Sequence, residues 1–266
     1  MAKDFLNIIV KQKKEEIKQA KKILPETAFL NDASGLKINM DARRPFFERL
    51  KKNDSRKVNI IAEIKRASPS KGVFAANLDP LKLAVLYEKG GAAALSVLTD
   101  QTFFSGSIQD LKIARKATSL PVLRKDFLIS SYQIYESCLM GADAVLLIVR
   151  ILSSVQLKSY LSLCRELKLD ALVEINSEDE LEAASSAGAR LIGINNRNLN
   201  SFKTDINTAM RLSSLLRPDQ TPVAASGIQG RKDIEKNKKF GIRNFLIGES
   251  LVKASNPRAF LESLIN

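Results

Sequence analysis

The 266-residue chain contains no histidine. That excludes imidazole acid–base chemistry, a Ser-His-Asp triad and histidine-ligated zinc. Its two cysteines, Cys138 and Cys164, stand apart with no Cys-x-x-Cys spacing. They read as small buried apolar residues in a reducing compartment, not as a disulfide framework. Tryptophan is absent, aromatics make up 6% of the chain, and no stretch interleaves basic with aromatic residues for base stacking. The longest apolar run, Ala144 to Val149, is far too short to cross a bilayer. From the start Met1-Ala-Lys-Asp, followed by short mixed segments, no signal peptide is expected. A cytoplasmic protein with no membrane partner is expected, and a monomer is the default.

What the chain has in excess is positive charge, a formal +13. Such a balance suits nucleic acid, a membrane surface or an anionic substrate. The basic residues are scattered, however. Lys11 to Lys22 is the one dense run, and it alternates with Glu15, Glu16 and apolar positions, which reads as the solvated face of a helix. No nucleic-acid partner is expected. The charge is mostly surface, with a small part focusing anions at one site.

Periodicity supplies the architecture. Residues 3 to about 22 repeat apolar positions at helical spacing, and a short helix is expected at Pro45 to Lys51. From Val58 onward, short and nearly all-apolar runs alternate with helical segments. The runs are Val58–Lys65, Ala92–Leu98, Pro121–Lys125, Ala142–Val149, Ala171–Ile175, Leu191–Ile194, Val223–Ala225 and Asn244–Ile247. Helices are expected near Pro80–Lys89, Ile108–Ala117, Ser131–Met140, Ser153–Leu167, Ser177–Ala187, Ile206–Leu216, Arg231–Lys238 and Pro257–Leu264. Glycines recur just before strands, as helix ends require. Eight such units predict an α/β fold, a single (β/α)8 TIM barrel. Residues 1–56 form its N-terminal helical extension and 57–266 its eight βα units. An open doubly wound sheet is the alternative, but the first loop has no G-x-G-x-x-G.

A barrel of this type places its site at the C-terminal ends of the strands. Unusual polar residues collect there. The first strand ends in Glu63 and Lys65, the third in Lys125, the fifth carries Glu174, and the sixth ends in Asn195 and Arg197. Any one of these alone is explained by a structural ion pair. Two acids and two lysines converging on one ring form a cluster in which pairing preserves charge and burial tunes proton affinity, as acid–base catalysis requires. Ser226-Gly227 and Gly248-Glu249 end the seventh and eighth strands, where barrels bind phosphate with backbone amides, and Ser68 and Arg197 add a hydroxyl and a guanidinium. Phe103, Phe104 and Phe127 at the mouth suit an aromatic ring in the substrate. Asp126 and Asp143 lack converging partners for a metal, and no nucleotide-cofactor motif is present, so neither metal nor cofactor is expected. These residues describe a phosphate-anchored barrel enzyme and leave isomerase, aldolase and lyase open, Schiff-base chemistry at a lysine included.

The run Ala62-Glu-Ile-Lys-Arg-Ala-Ser-Pro-Ser-Lys-Gly72 resembles the first-strand signature of the indole-3-glycerol phosphate synthases. The resemblance extends in order through Leu95–Asp100 with Phe103–Gly106, Leu123–Phe127, Val173–Asn176, Gly193–Leu199, Ser226–Ile228 and Leu246–Leu251. It implies a carboxy-lyase of tryptophan biosynthesis acting on 1-(2-carboxyphenylamino)-1-deoxyribulose 5-phosphate. By that resemblance Lys125 is the general acid and Glu174 the second acid–base group. Lys65 holds the substrate carboxylate, and Glu63 and Asn195 position these groups. Phe104, Phe127, Leu146 and Leu199 form the ring pocket. The loop Ser68 to Gly72 is expected to close over the substrate, with Ser68 toward the phosphate and Gly72 as hinge. Two positions depart from the family's common pattern. Ala225 stands where Glu is common before Ser-Gly, which removes any accessory acid–base role there, and Asn198 stands where Asp is common. With one barrel in the sequence, a monofunctional enzyme is expected. The rival enzyme reading is phosphoribosylanthranilate isomerase, which needs a Cys at a strand end. The rival of another class is a basic nucleic-acid binder.

Overall fold

Strand and helix alternate along the chain in the computed structural model, which describes residues 5–29, 40–51, 57–198 and 202–266. Eight parallel strands close into a barrel: Asn59–Ile64, Ala94–Leu98, Val122–Lys125, Ala144–Ile148, Asp170–Ile175, Leu191–Asn195, Thr221–Ala225 and Asn244–Ile247. Each pairs with its successor, and the first closes onto the eighth with Ile61 beside Leu246. The expected barrel is thus observed, with strand ends displaced by one or two residues. An outer ring of helices follows: α3 (Pro80–Lys89), α4 (Ile108–Ala117), α5 (Ser131–Leu139), α6 (Ser154–Glu166), α7 (Glu178–Ser186), α8 (Asn207–Ser213), α9 (Arg231–Lys238) and α11 (Pro257–Ile265). A further short helix, α10 (Glu249–Val252), fills the loop after the eighth strand.

Local chemistry explains the boundaries. Asp79, Ser107, Ser130, Ser153, Ser177 and Asn256 each accept a backbone N–H at the start of a helix, meeting donors that the helix leaves unpaired. Helix α8 stops short of the expected Leu216. Ser213 and Ser214 turn their hydroxyls back onto the Met210 and Arg211 carbonyls, and this local bonding competes with helix propagation.

The two-residue period of a strand divides the core in two. Outward residues such as Ile60, Val97, Val145, Val173, Ile192 and Phe245 pack under the helices. Inward residues such as Ile61, Ala94, Leu123, Leu172, Leu191 and Leu246 fill the barrel. The same inner cluster takes in Phe46, Phe47 and Leu50 of helix α2 (Phe46–Lys51). Helix α2 therefore plugs the N-terminal end of the barrel, and each of those side chains contributes about 1.5–3 kcal/mol of apolar burial.

Aspartates fasten the N-terminal segment at both ends of the barrel. At the N-terminal end, Asp143 accepts the Arg44 and Val122 amides at 2.9 Å each and pairs with Arg115 at 3.0 Å. Asp170 accepts the Phe47 amide at 2.8 Å. At the C-terminal end, helix α1 (Phe5–Ile23) lays Leu6, Ile9 and Lys13 on one buried stripe at i, i+3, i+7 spacing. Lys13 corrects the expectation of a wholly solvated basic face. It is 3% exposed, and its ammonium lies 2.7 Å from Asp100, 3.0 Å from Asp126 and 2.8 Å from Glu16. Asp126 also pairs with Arg124 at 3.1 Å and accepts the Thr99 hydroxyl at 2.6 Å. Burial works to raise the Asp126 pKa, but Arg124 and Lys13 outweigh it and hold it at about 2. Burial likewise works to lower the Lys13 pKa, and Asp126 and Asp100 outweigh it, so the net shift is upward. Both cysteines are buried, and burial pushes the Cys138 thiol up to about 11. Among the described residues no helix is long and apolar enough to cross a membrane.

Two outcomes are expected. Asp143→Ala strips the partner from two backbone amides and leaves Arg115 without its carboxylate, so it should cost about 3–5 kcal/mol in urea unfolding; a loss under about 1 kcal/mol would remove Asp143 from the role of fastener. The folded pKa of Asp126 lies below the unfolded value of roughly 3.9. Its stabilisation is therefore full above that value and fades as pH falls toward 2. The stability advantage of the wild type over Asp126→Asn should narrow between about pH 5 and pH 2.5 in urea titrations. A gap constant with pH would contradict the assignment.

Candidate active site

At the C-terminal ends of the strands the barrel opens into a cavity of about 620 Å³. The inward positions that end the strands project into it, which is why residues far apart in sequence share one wall. Glu63, Lys65, Lys125, Glu174 and Asn195 all line it. Their arrangement is two separate ion pairs. Lys125 Nζ stands 3.0 Å from Glu174 Oε2, and Asn195 Nδ2 donates to Glu174 Oε1 at 3.1 Å. Asn195 is itself fixed, because its Oδ1 accepts the Arg197 amide at 3.0 Å and its carbonyl accepts Asn176 Nδ2 at 2.5 Å. Glu63 pairs with Lys65 beside it. Both glutamates are buried and both lysines keep partial access to the cavity, so each pair offers its cation to a ligand.

Gly248 explains how Glu63 fits. A β-carbon added at Gly248 would fall on the Glu63 carboxylate, so the eighth strand must end in glycine for that side chain to lie there. Gly227 has φ +79°, and a β-carbon there would meet the Thr204 methyl at 2.7 Å. Ser226 before it also lies in the left-handed region, at φ +67°, which costs a non-glycine residue about 1–3 kcal/mol. Asn196, buried in the sixth loop, holds that turn by donating to the Ser226 carbonyl at 3.0 Å.

Ser68, Arg197, Ser226, Gly227, Gly248 and Glu249 gather at one side of the same cavity. The Ser68 hydroxyl is buried and has no hydrogen-bond partner among the described residues. The Glu249 carboxylate is already occupied, by Lys253 at 2.8 Å and Lys71 at 2.6 Å. Burial works to raise its pKa, and those two lysines outweigh it and lower it. Of Glu249, the backbone amide at the start of α10 is left for an anion. The loop after the first strand forms a small antiparallel ladder, Ala67–Ser68 with Gly72–Val73, and reaches across the cavity. Arg197 donates to Ser70 at 3.3 Å, and the Lys71–Glu249 contact ties the loop to α10.

The opposite wall is apolar. Phe104 and Phe127 stand with ring centroids 6.0 Å apart, and Leu146 lies deeper. Leu199 falls outside the described residues. Sequence reasoning missed what α1 contributes here: Phe5, Leu6 and Ile9 line the cavity, with Phe5 edge-on to Phe103 and Phe202. Its apolar stripe was visible, but nothing local says which surface that stripe covers.

The comparisons with known proteins bear on this arrangement. The family model described as indole-3-glycerol phosphate synthase matches residues 6–264. The chain is 56% identical over 263 residues to the indole-3-glycerol phosphate synthase of Desulfosudis oleivorans, covering 98% of each. It is 51% identical over 261 residues to that of Syntrophobacter fumaroxidans, covering 98% of this chain and 97% of the relative. Among solved structures, 3-hexulose-6-phosphate synthase from Salmonella typhimurium superposes with a TM-score of 0.61 at 14% identity, over 77% of this chain and 96% of that one, a likeness of fold alone. With a barrel-end cavity built from paired lysines and glutamates, and with matches spanning nearly its whole length, the chain belongs to the indole-3-glycerol phosphate synthase family.

Proposed function

We propose that this cavity closes the indole ring of 1-(2-carboxyphenylamino)-1-deoxyribulose 5-phosphate, releasing carbon dioxide and water to give indole-3-glycerol phosphate. The observation that carries the proposal is the Lys125–Glu174–Asn195 row, which faces a cavity with an aromatic wall on one side and the turns of the last two strands on the other. The ring carbon bearing the carboxylate attacks the ketone carbon, and Lys125 protonates the ketone oxygen as the bond forms. Loss of carbon dioxide returns the bonding pair to the ring. The new hydroxyl then leaves as water, with Glu174 moving the proton that the elimination releases.

The remaining residues hold the substrate. Lys65, steadied by Glu63, meets the substrate carboxylate. Asn195 orients Glu174 and hydrogen-bonds the sugar hydroxyls. Ser68, Arg197 and the backbone at Ser226–Gly227 and Gly248–Glu249 take the phosphate. Phe104, Phe127 and Leu146 flank the anthranilate ring. Ala225 lines the cavity with a methyl group where a carboxylate is common. Base chemistry in this chain therefore rests on Glu174.

Purified protein given this substrate should develop indole fluorescence in the presence of chelator; a folded protein giving none would sink the proposal. Lys125→Ala and Glu174→Gln should each lower kcat by roughly 10²-fold or more, the range of acid–base catalysis. Near-normal turnover in either variant would remove that residue from its role. Gly248→Ala should push Glu63 aside and cut kcat/KM by roughly tenfold or more while the protein stays folded, and an unchanged kcat/KM would show that the placement of Glu63 does not matter.

A further inference from the structure

The Lys13 ammonium does more than attach α1. It bridges two buried carboxylates, Asp100 at 2.7 Å and Asp126 at 3.0 Å, from the loops after the second and third strands. Each carboxylate in turn holds backbone of the aromatic wall. Asp100 Oδ1 accepts the amides of Phe103 at 2.7 Å and Phe104 at 3.1 Å. Asp126 Oδ1 accepts the amide of Phe127 at 2.8 Å. One cation thus links the two segments that carry Phe104 and Phe127, whose rings stand 6.0 Å apart against the cavity. Asp126 has a second cation, Arg124, at 3.1 Å, whereas among the described residues Lys13 is the cation on Asp100. Without Lys13, two carboxylates taken out of water would face each other, and like-charge repulsion would drive the segments apart.

We infer that Lys13 is a positioning residue that holds Phe104 and Phe127 together as one aromatic wall and through that wall sets the size of ring the site accepts. This rests on the reading of that wall as the ring pocket. The direction follows from charge. Neutralising Lys13 should part the two rings and enlarge the pocket they wall, not merely loosen the fold, and removing one of the opposed charges should restore it.

The test compares Lys13→Met with the double variant Lys13→Met/Asp100→Asn, in which Asn keeps the oxygen that accepts the Phe103 and Phe104 amides. Lys13→Gln replaces Lys13→Met if the latter does not fold. On the parent substrate, Lys13→Met should raise KM about tenfold with kcat within about threefold. The ratio of kcat/KM for a ring-methylated substrate to that for the parent should rise about fivefold or more, within the range that one methyl group confers. Inhibition by glycerol 3-phosphate, which fills only the phosphate end, should stay within about twofold. The double variant should move KM and selectivity back toward wild type. Unchanged selectivity, or equal losses for both substrates and for glycerol 3-phosphate, would overturn the inference. Amide exchange at Phe104 and Phe127 reads the same device without substrate: it should quicken in Lys13→Met and slow again in the double variant. If the wild type fails to turn over the substrate, the reading of the site falls, while exchange still decides the bridge. Unchanged exchange overturns it.

Discussion

A charge removed from water is costly unless an opposite charge or a set of hydrogen bonds meets it. This constraint arranges the interior of the barrel. Apolar residues fill its middle, and every buried carboxylate described above near either end is met by a cation or by backbone amides. Asp143 and the half-buried Asp170 are met at the N-terminal end, Asp100 and Asp126 around Lys13, Glu63 by Lys65 and Glu174 by Lys125. Such pairs add little net stability, because desolvation offsets most of the attraction, but breaking one is expensive. Their effect is therefore on geometry. They fix where the N-terminal segment sits and where the strand-end lysines point, while apolar burial supplies the stability.

That division explains what could be read from the sequence. Eight apolar runs separated by helical segments follow from the periods of strand and helix, which are local, so the closed barrel and most element bounds were legible. The polar strand ends were legible for a related reason: a Glu or Lys inside an otherwise apolar run is unexpected, and the barrel rule says where it lies. Lys13 was not legible. In the sequence it is one lysine in a basic helix, and its burial depends on loops more than eighty residues further along the chain. Asp126 and Asp143 were set aside as metal ligands for want of partners, and their partners proved to be cations and amides brought in by the fold. Gly248 was read as making room for phosphate, and the structure gives it another task, making room for Glu63.

The site also separates two demands that conflict. A phosphate and a carboxylate need a positive field, whereas an aromatic ring needs a dry apolar wall. Lys65, Lys125 and Arg197 line the cavity along with Phe104 and Phe127, and none of the three cations is left without a partner. A guanidinium or ammonium already paired gives up less when a substrate anion arrives, since it exchanges one partner for another instead of losing water.

Glu174 and Glu63 differ in how they are held, and the difference bears on which can move a proton. Glu174 has one oxygen on Lys125 and the other on Asn195, whose own oxygen is fixed by the Arg197 amide. Its orientation is over-determined, and a proton passed between it and Lys125 changes the charge on both without moving either. Glu63 has Lys65, and its position depends on the space left by Gly248. With Ala225 placing no carboxylate on the seventh strand, the group that must both accept and return a proton during ring closure is the one already preorganised for it. In the proposed reaction, acid–base work therefore falls to the Lys125–Glu174 pair, and Glu63 is left to hold Lys65 against the substrate carboxylate.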